Sequence, residues 1–193
     1  FLTYLPPLVM IAVPFLLVVE QPDLGTALAL ALGSLTILFV AGLPWRYMLA
    51  SVVAAGAAVP VLWTQLHDYQ KARVMTFLNP EADQLGAGYQ ITQSKIALGS
   101  GGLFGKGFLM GSQSQLNYLP EKQTDFVFTM IGEEFGLVGN LFILALYLLM
   151  IGAVLAISLR VGSRFAQLTC IGVAMMLFLY VFVNVAMVTG LLP

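Results

Sequence analysis

Five stretches of this sequence, each 19 to 29 residues long, contain no Asp, Glu, Lys or Arg, and they constrain the fold more than any other feature. They are residues 1–19, 24–43, 48–66, 135–159 and 165–193. A helix needs about 20 apolar residues to cross a bilayer core, since each residue rises only about 1.5 Å. The sequence is 60% hydrophobic and 9% charged, against roughly 25% charged in soluble domains, so lipid must solvate the remainder. The sequence therefore predicts an all-α polytopic membrane protein with about five transmembrane helices.

The runs and the polar segment between them give the expected domain organisation. Residues 1–193 form one membrane domain, in which residues 1–66 supply three transmembrane helices. A large loop follows at residues 67–125, and residues 126–193 supply two more spans. The sequence opens at Phe1 with no basic segment before its apolar start, so we expect an internal piece of a longer protein.

Arginines in the short connections predict the orientation. Arg46 follows the second span, and Arg160 and Arg164 lie between the fourth and the fifth. With alternating helices these connections share one side, which the positive-inside rule makes cytoplasmic. The loop of residues 67–125 then lies on the extracytoplasmic face of the membrane. The net charge of −1 gives no general attraction to nucleic acid.

The loop of residues 67–125 holds ten of the seventeen charged residues and several large apolar ones. Residues 88–98 mix polar and apolar side chains, which predicts a short re-entrant or interfacial helix. The glycine-rich segment 99–107 follows and includes Lys106. Its N–H groups and the lysine suggest an anion-binding nest. A flexible turn after the helix is the open alternative, because Ser100 and Gly107 depart from the nucleotide-binding P-loop motif.

A second polar motif, Leu-Pro-Glu-Lys-Gln-Thr-Asp-Phe at residues 119–126, ends in Asp125, which is a candidate functional carboxylate or a helix cap. Glu133 and Glu134 follow about two turns later. Residues 126–159 as one helix would measure about 50 Å, which exceeds the hydrocarbon thickness of about 30 Å. Part of that helix therefore stands above the membrane, or its acids lie in a protected cavity.

Asp23, between the first two spans, is predicted to share the extracytoplasmic face with Asp125. Carboxylates and cations together on one face suit acid–base chemistry on an anionic lipid substrate, although Asp23 is equally a helix cap. His67 is the sole histidine, so a His-rich metal site is excluded. A site in which acids hold a divalent cation, Mg²⁺ or Mn²⁺, remains an open alternative.

At these same positions the sequence resembles the SEDS family (shape, elongation, division and sporulation), and within it the RodA branch. The resemblance covers essentially the whole chain and rests on several motifs in the expected order. They are Gln-Pro-Asp-Leu-Gly-Thr at 21–26, Asp-Tyr-Gln at 68–70, Leu-Asn-Pro at 78–80, Leu-Gly-Ala-Gly-Tyr-Gln at 85–90, Gln-Ser-Lys-Ile-Ala-Leu-Gly-Ser-Gly-Gly-Leu at 93–103, Gly-Lys-Gly at 105–107, Gln-Ser-Gln at 113–115, Thr-Asp-Phe at 124–126, Gly-Glu-Glu at 132–134 and Asn184.

The resemblance implies a fold of roughly ten membrane helices and a peptidoglycan glycosyltransferase of the bacterial inner membrane, whose active face, with the loop of residues 67–125, is periplasmic. Such enzymes polymerise lipid II, release undecaprenyl pyrophosphate, and work with a class B penicillin-binding protein and other membrane proteins of the cell-elongation complex. It implies Asp125 as the catalytic general base. The candidate substrate-binding residues are Lys106, Arg73, Glu121, Asp23, Lys95 and Gln113, and of these Lys106 and Arg73 would stabilise the diphosphate. Many relatives carry His where this chain has Gln123.

Two other functions stay open beside glycosyl transfer for cell elongation and rod shape. A lipid II translocator would bind the same amphiphile, but it is expected to carry polar groups through the bilayer depth. The runs at 24–43, 48–66 and 165–193 hold no ionisable side chain apart from Cys170 and Tyr180. A non-catalytic scaffold of the cell-wall synthase is the third possibility.

Overall fold

The computed structural model describes residues 5–21, 24–65, 71, 75, 87–115 and 124–192, and seven helices account for most of them. Their bounds are α1 Leu5–Glu20, α2 Leu24–Val40, α3 Trp45–Gln65, α4 Ala87–Gly101, α5 Ser112–Gln115, α6 Val127–Arg160 and α7 Arg164–Thr189. Each predicted span contains one long helix, and α1 includes Pro14. Within the described ranges no residue is in a strand, which confirms the all-α prediction.

Helices α6 and α7 are long and apolar enough to cross a bilayer, with mean hydropathies of 2.7 and 2.4 in their most apolar windows. Only 6% and 22% of those windows are buried by protein, so their side chains need another apolar solvent. The core helix of a soluble protein would be mostly covered. Shorter apolar helices lie at Pro6–Glu20 and Gly25–Val40. The chain is thus a helical membrane protein, and the count of five spans stays a prediction.

The chain divides into two compact units. The first comprises Phe1–Ala57 and Leu149–Tyr180, and the second comprises Ala58–Leu148 and Val181–Pro193. In the first unit α1 packs on α2, and the side chain of Ile37 reaches Gly172 of α7. Arg164 donates from Nη1 to Gln167 and from Nη2 to the Val40 carbonyl, 3.4 Å away, which satisfies an orphan carbonyl at the end of α2.

The second unit contains every predicted site residue that the structure describes. Its core is built around Phe126 and Val188, which are 4% and 0% exposed. Ser94 of α4 donates to the Val188 carbonyl at 3.0 Å, and its Oγ lies 2.6 Å from the Thr129 hydroxyl. A serine hydroxyl has one proton, so Thr129 must be the donor in the second bond. This buried pair of bonds joins α4, α6 and α7.

Helix α6 is broken at Gly136, whose φ and ψ of 70° and −164° are not helical. This conformation is accessible essentially to glycine alone. A Cβ at this position would also overlap main-chain atoms of Leu103 and Gly105. The sequence predicted one long helix, with a part above the membrane or with its acids in a protected cavity, and the break corrects the continuity of that helix. The segment is two helical pieces, and a loop of the protein lies against the break.

The break at Gly136 generates a stability prediction. Gly136→Ala imposes a backbone strain of about 1–3 kcal/mol and adds steric overlap with the loop, so it should lower the melting temperature of the full-length protein. Gly152→Ala in the same helix is the matched control, because a Cβ there meets nothing within 4 Å. That substitution should leave the melting temperature unchanged or raise it, since alanine favours a helix by about 1 kcal/mol. Equal melting curves for Gly136→Ala and the parent would show that the break is not as described.

Candidate functional site

Residues 102–107 satisfy the main-chain groups that the break in α6 leaves without helical partners. In a continuous helix the N–H groups of Leu137 and Val138 would bond to the carbonyls of Glu133 and Glu134. Here Leu137 and Val138 donate instead to the carbonyls of Gly102 and Leu103, at 2.9 and 3.1 Å.

The two freed carbonyls are satisfied from the same loop. The N–H of Lys106 donates to the Glu133 carbonyl and the N–H of Gly107 donates to the Glu134 carbonyl, both at 3.0 Å. Two helical bonds are thus exchanged for four bonds to the loop. The N–H of Gly105 donates to Gly101 at 2.8 Å. Because these loop N–H groups are used within the protein, residues 105–107 do not form the anion-binding nest that the sequence suggested.

The side chain of Glu133 is fully buried and is bound by the loop and by the start of α5. Its Oε1 accepts from Lys106 Nζ at 2.7 Å, from the Gln113 N–H at 3.0 Å and from the Ser112 hydroxyl at 3.2 Å. Lys106 Nζ also donates to Ser112 Oγ at 2.8 Å. A buried carboxylate needs both an opposite charge and hydrogen bonds, and this arrangement supplies both. Glu133 therefore fixes the position of α5 on α6.

Lys106 retains capacity for a further ligand. Its ammonium has three N–H groups, and two of them are used by Glu133 and Ser112. Its side chain is 29% exposed, whereas Glu133 is 0% exposed. The structure thus brings Lys106 and Gln113, two of the predicted substrate-binding residues, to one carboxylate. The amide oxygen of Gln113 is buried and has no hydrogen-bond partner among the described residues.

Asp125 lies in the turn before α6 with its carboxylate on the surface. Its main-chain carbonyl accepts from the Asn184 side-chain amide of α7 at 2.8 Å. The next residue, Phe126, is buried in the core of the unit. Asp125 is thus held by its main-chain carbonyl and by the buried residue that follows it, while Asp125 itself stays exposed. This is a suitable arrangement for a group that must meet a substrate.

Lys95, a residue of α4, lies elsewhere in this unit, and its side chain contacts Gly190 just after the end of α7. It is exposed, and its stem covers Gly190 so closely that a Cβ there would overlap Cε and Nζ. A cation at a helix C-terminus interacts favourably with the helix dipole. The described geometry therefore gives Lys95 a structural contact, and its predicted role in substrate binding stays a prediction.

The remaining predicted residues, Arg73, Glu121 and Asp23, lie outside the described residues. Across the described ranges, no three His, Cys, Asp or Glu side chains converge in a way that would hold a metal ion. A divalent cation bound by Glu121 or Asp23 stays a prediction.

Sequence reasoning left Glu133, Ser112 and Asn184 out of the predicted site. The signal for Glu133 was present, because two acids interrupt an otherwise apolar segment and such acids face partners rather than lipid. Ser112 gave no signal, since its neighbours are also small and polar. Asn184 was visible as a lone amide in an apolar helix, but its partner is 59 residues away in the chain.

Comparisons with known proteins agree with this architecture. Residues 2–193 match the family model FTSW_RODA_SPOVE, described as cell cycle protein. The chain is 54% identical to the peptidoglycan glycosyltransferase MrdB of Escherichia coli K12, over 96% of this chain and 50% of that protein. It is 38% identical to a probable peptidoglycan glycosyltransferase FtsW of Coxiella burnetii, over 98% of this chain and 51% of the relative.

A solved structure described as "Structural coordination of polymerization and crosslinking by a peptidoglycan synthase complex" has a similar fold. The TM-score is 0.77 at 32% identity, and the match covers 98% of this chain and 52% of that one. The chain thus spans about half the length of the relatives it matches. The match of the family model over nearly every residue shows that this chain belongs to the FtsW/RodA/SpoVE family of cell cycle proteins.

Proposed function

We propose that the full-length protein is a peptidoglycan glycosyltransferase of the bacterial inner membrane. It polymerises lipid II into glycan strands on the periplasmic face, releases undecaprenyl pyrophosphate, and serves cell elongation and rod shape. The observation that carries the proposal is the 54% identity to MrdB of Escherichia coli, which extends over 96% of this chain. The accessible carboxylate of Asp125, held by its backbone, supports it from the geometry.

In the proposed reaction Asp125 acts as the general base. Its carboxylate takes the proton of the acceptor sugar hydroxyl, whose oxygen attacks the anomeric carbon of the donor sugar. The bond between that carbon and the diphosphate oxygen breaks, and the diphosphate leaves with the electron pair. A positioned base contributes typically 10²–10⁴-fold to such a step.

Lys106 is proposed to stabilise the charge that develops on the diphosphate. Glu133 and Ser112 hold its ammonium in place, and the third N–H remains available to a ligand. Preorganised positive charge contributes most where negative charge grows in the transition state. Arg73 is proposed as a second cation of this kind, with Glu121, Asp23, Lys95 and Gln113 as further substrate-binding groups. Should a divalent cation be required, Glu121 and Asp23 would hold it, and its positive charge would neutralise charge on the diphosphate.

We also propose a class B penicillin-binding protein as the partner, together with other membrane proteins of the elongation complex. The support is the 32% identity and similar fold to a chain of a solved peptidoglycan synthase complex, described as coordinating polymerisation with crosslinking.

The first prediction concerns the base. Full-length Asp125→Asn should polymerise purified lipid II about 10²–10⁴-fold more slowly than the parent, because the amide cannot accept the proton. Asparagine has nearly the same size, and the Asn184 bond goes to the backbone, so the folded state is preserved. The measurement is the initial rate of glycan formation in detergent, with Glu20→Gln, an exposed acid at the end of α1, as the control expected to keep the parent rate.

The detergent assay also separates the alternative functions. No bilayer has to be crossed in a micelle, so a protein that only translocates lipid II, or only acts as a scaffold, would make no glycan there. Glycan formation by Asp125→Asn at the rate of the parent would refute the assignment of the base. Absence of glycan formation by the parent itself would refute the glycosyltransferase.

The second prediction separates the two roles of Lys106. Lys106→Met leaves the buried Glu133 carboxylate without its cation and should destabilise the full-length protein by about 2–3 kcal/mol. Adding Glu133→Gln removes that uncompensated charge, so the double variant should recover part of the melting temperature. Its polymerisation rate should nevertheless stay low, because no cation meets the diphosphate.

The matched single variant is Glu133→Gln, which keeps the ammonium and an acceptor for the Gln113 N–H. It should retain more activity than the double variant. A double variant as active as Glu133→Gln would contradict a role for Lys106 at the diphosphate. If the stability losses of Lys106→Met and Glu133→Gln simply added up in the double variant, that result would contradict the ion pair.

A further inference from the structure

The loop between α4 and α5 exposes an unusual amount of apolar surface. We define the apolar tip as Leu103, Phe104, Phe108, Leu109 and Met110, whose exposed fractions range from 61% to 80%. Five such large side chains within eight residues would be unfavourable in water, at about 25 cal/mol per Å² of apolar surface. Contiguous patches of this kind mark a surface that has a ligand.

The one charged side chain within this stretch turns away from that surface. Lys106 lies between Phe104 and Phe108 in sequence, yet its ammonium points inward to the buried Glu133 and to Ser112. A lysine in a water-exposed loop would ordinarily keep its ammonium in bulk water. The charge of Lys106 beside the tip is therefore paired with the Glu133 carboxylate.

Protein groups satisfy part of the main chain in and beside the tip. The carbonyls of Gly102 and Leu103 and the N–H groups of Lys106 and Gly107 bond to the broken part of α6, and the Met110 N–H donates to Gly107 at 3.0 Å. Irregular backbone at membrane depth is tolerated only where protein satisfies its polar groups.

The position of the tip along α6 indicates which part of the bilayer surrounds the tip. Residues 137–160 extend from the break to Arg160, and 24 helical residues correspond to about 36 Å. The hydrocarbon core is about 30 Å thick, and the headgroup regions bring the bilayer to about 40–45 Å. This piece of α6 is therefore long enough to cross the hydrocarbon core, and we infer that the loop that docks at Gly136, at the start of the piece, lies at an interface.

The tip is continuous with apolar surface of α6. The ring centroids of Phe108 and Phe135 are 6.1 Å apart, and Phe135 is 46% exposed. Leu137, Val138 and Leu141 continue this exposed apolar surface along the helix. The tip thus extends the lipid-facing surface of a spanning helix rather than standing apart from it.

From these observations we propose that the apolar tip is a membrane-interface anchor, immersed in the lipid leaflet at the level of Gly136. Its occupant is the boundary between acyl chains and headgroups. Through the four main-chain bonds and the Lys106–Glu133 pair, this anchor fixes the depth of the site residues relative to the lipid headgroups. The proposal does not depend on the glycosyltransferase activity.

Spin-label accessibility in liposomes tests the anchor on the full-length protein. Phe104→Cys and, separately, Met110→Cys are labelled with a nitroxide after Cys170 and any cysteine elsewhere in the protein have been replaced. Collisions with oxygen report a lipid environment, and collisions with a water-soluble nickel complex report water. The Leu148→Cys label, in the apolar part of α6, is the lipid control, and the Gly162→Cys label, in the turn after α6, is the water control.

Both tip labels should collide with oxygen more than with the nickel complex, as the Leu148 label does. A tip label that meets the nickel complex as readily as the Gly162 label would refute the anchor. A label shielded from both reagents would also refute it, because another protein surface would then cover the tip.

Discussion

The described site depends on one physical exchange, in which a loop supplies new partners for the groups of two helical hydrogen bonds lost at the break in α6. A helix inside or at the edge of a bilayer cannot leave N–H and carbonyl groups unsatisfied, since each costs several kcal/mol. The break at Gly136 frees two of each, and residues 102–107 satisfy all four. Loop and helix thereby become one structural unit, and everything attached to the loop acquires a defined position.

Charge makes this docking specific. The backbone bonds alone would accept many loop sequences, whereas the buried Glu133 requires a cation and further donors, which Lys106, Ser112 and the Gln113 main chain provide. Breaking such a pair leaves a buried charge, and that cost defines the register of loop and helix. The same pair orients the ammonium of Lys106, so a contact that stabilises the fold also prepares a cation for an anionic ligand.

Much of this fold could be predicted from the sequence because its causes are local. Uncharged runs of spanning length gave the positions of α1, α2, α3, α6 and α7, and the mixed polarity of residues 88–98 gave the helix that the structure places at Ala87–Gly101. The accessible position of Asp125 was also in keeping with its place just before a helix.

The hydrogen bonds and the ion pair that join the loop to α6 could not be predicted, because they connect residues that are distant in the chain. In the sequence, Gly136 is indistinguishable from the other glycines of an apolar run. Only the structure shows that the main chain of Leu103 and Gly105 packs against it and excludes a side chain there. The glycine-rich segment suggested anion binding by its N–H groups, yet those groups serve α6. Glu133 was noticeable in the sequence as an acid within an apolar segment, but its partner Lys106 lies 27 residues earlier in the chain.

Hydrogen exchange of the backbone amides tests the docking of loop and helix most directly. In the full-length protein, the amides of Lys106, Gly107, Leu137 and Val138 should exchange as slowly as those in the interior of α6. A Cβ at Gly105 would overlap the main chain of Glu134, so Gly105→Ala should accelerate exchange in both segments together. Rapid exchange of residues 106 and 107 in the parent, or acceleration of the loop alone in the variant, would contradict the account.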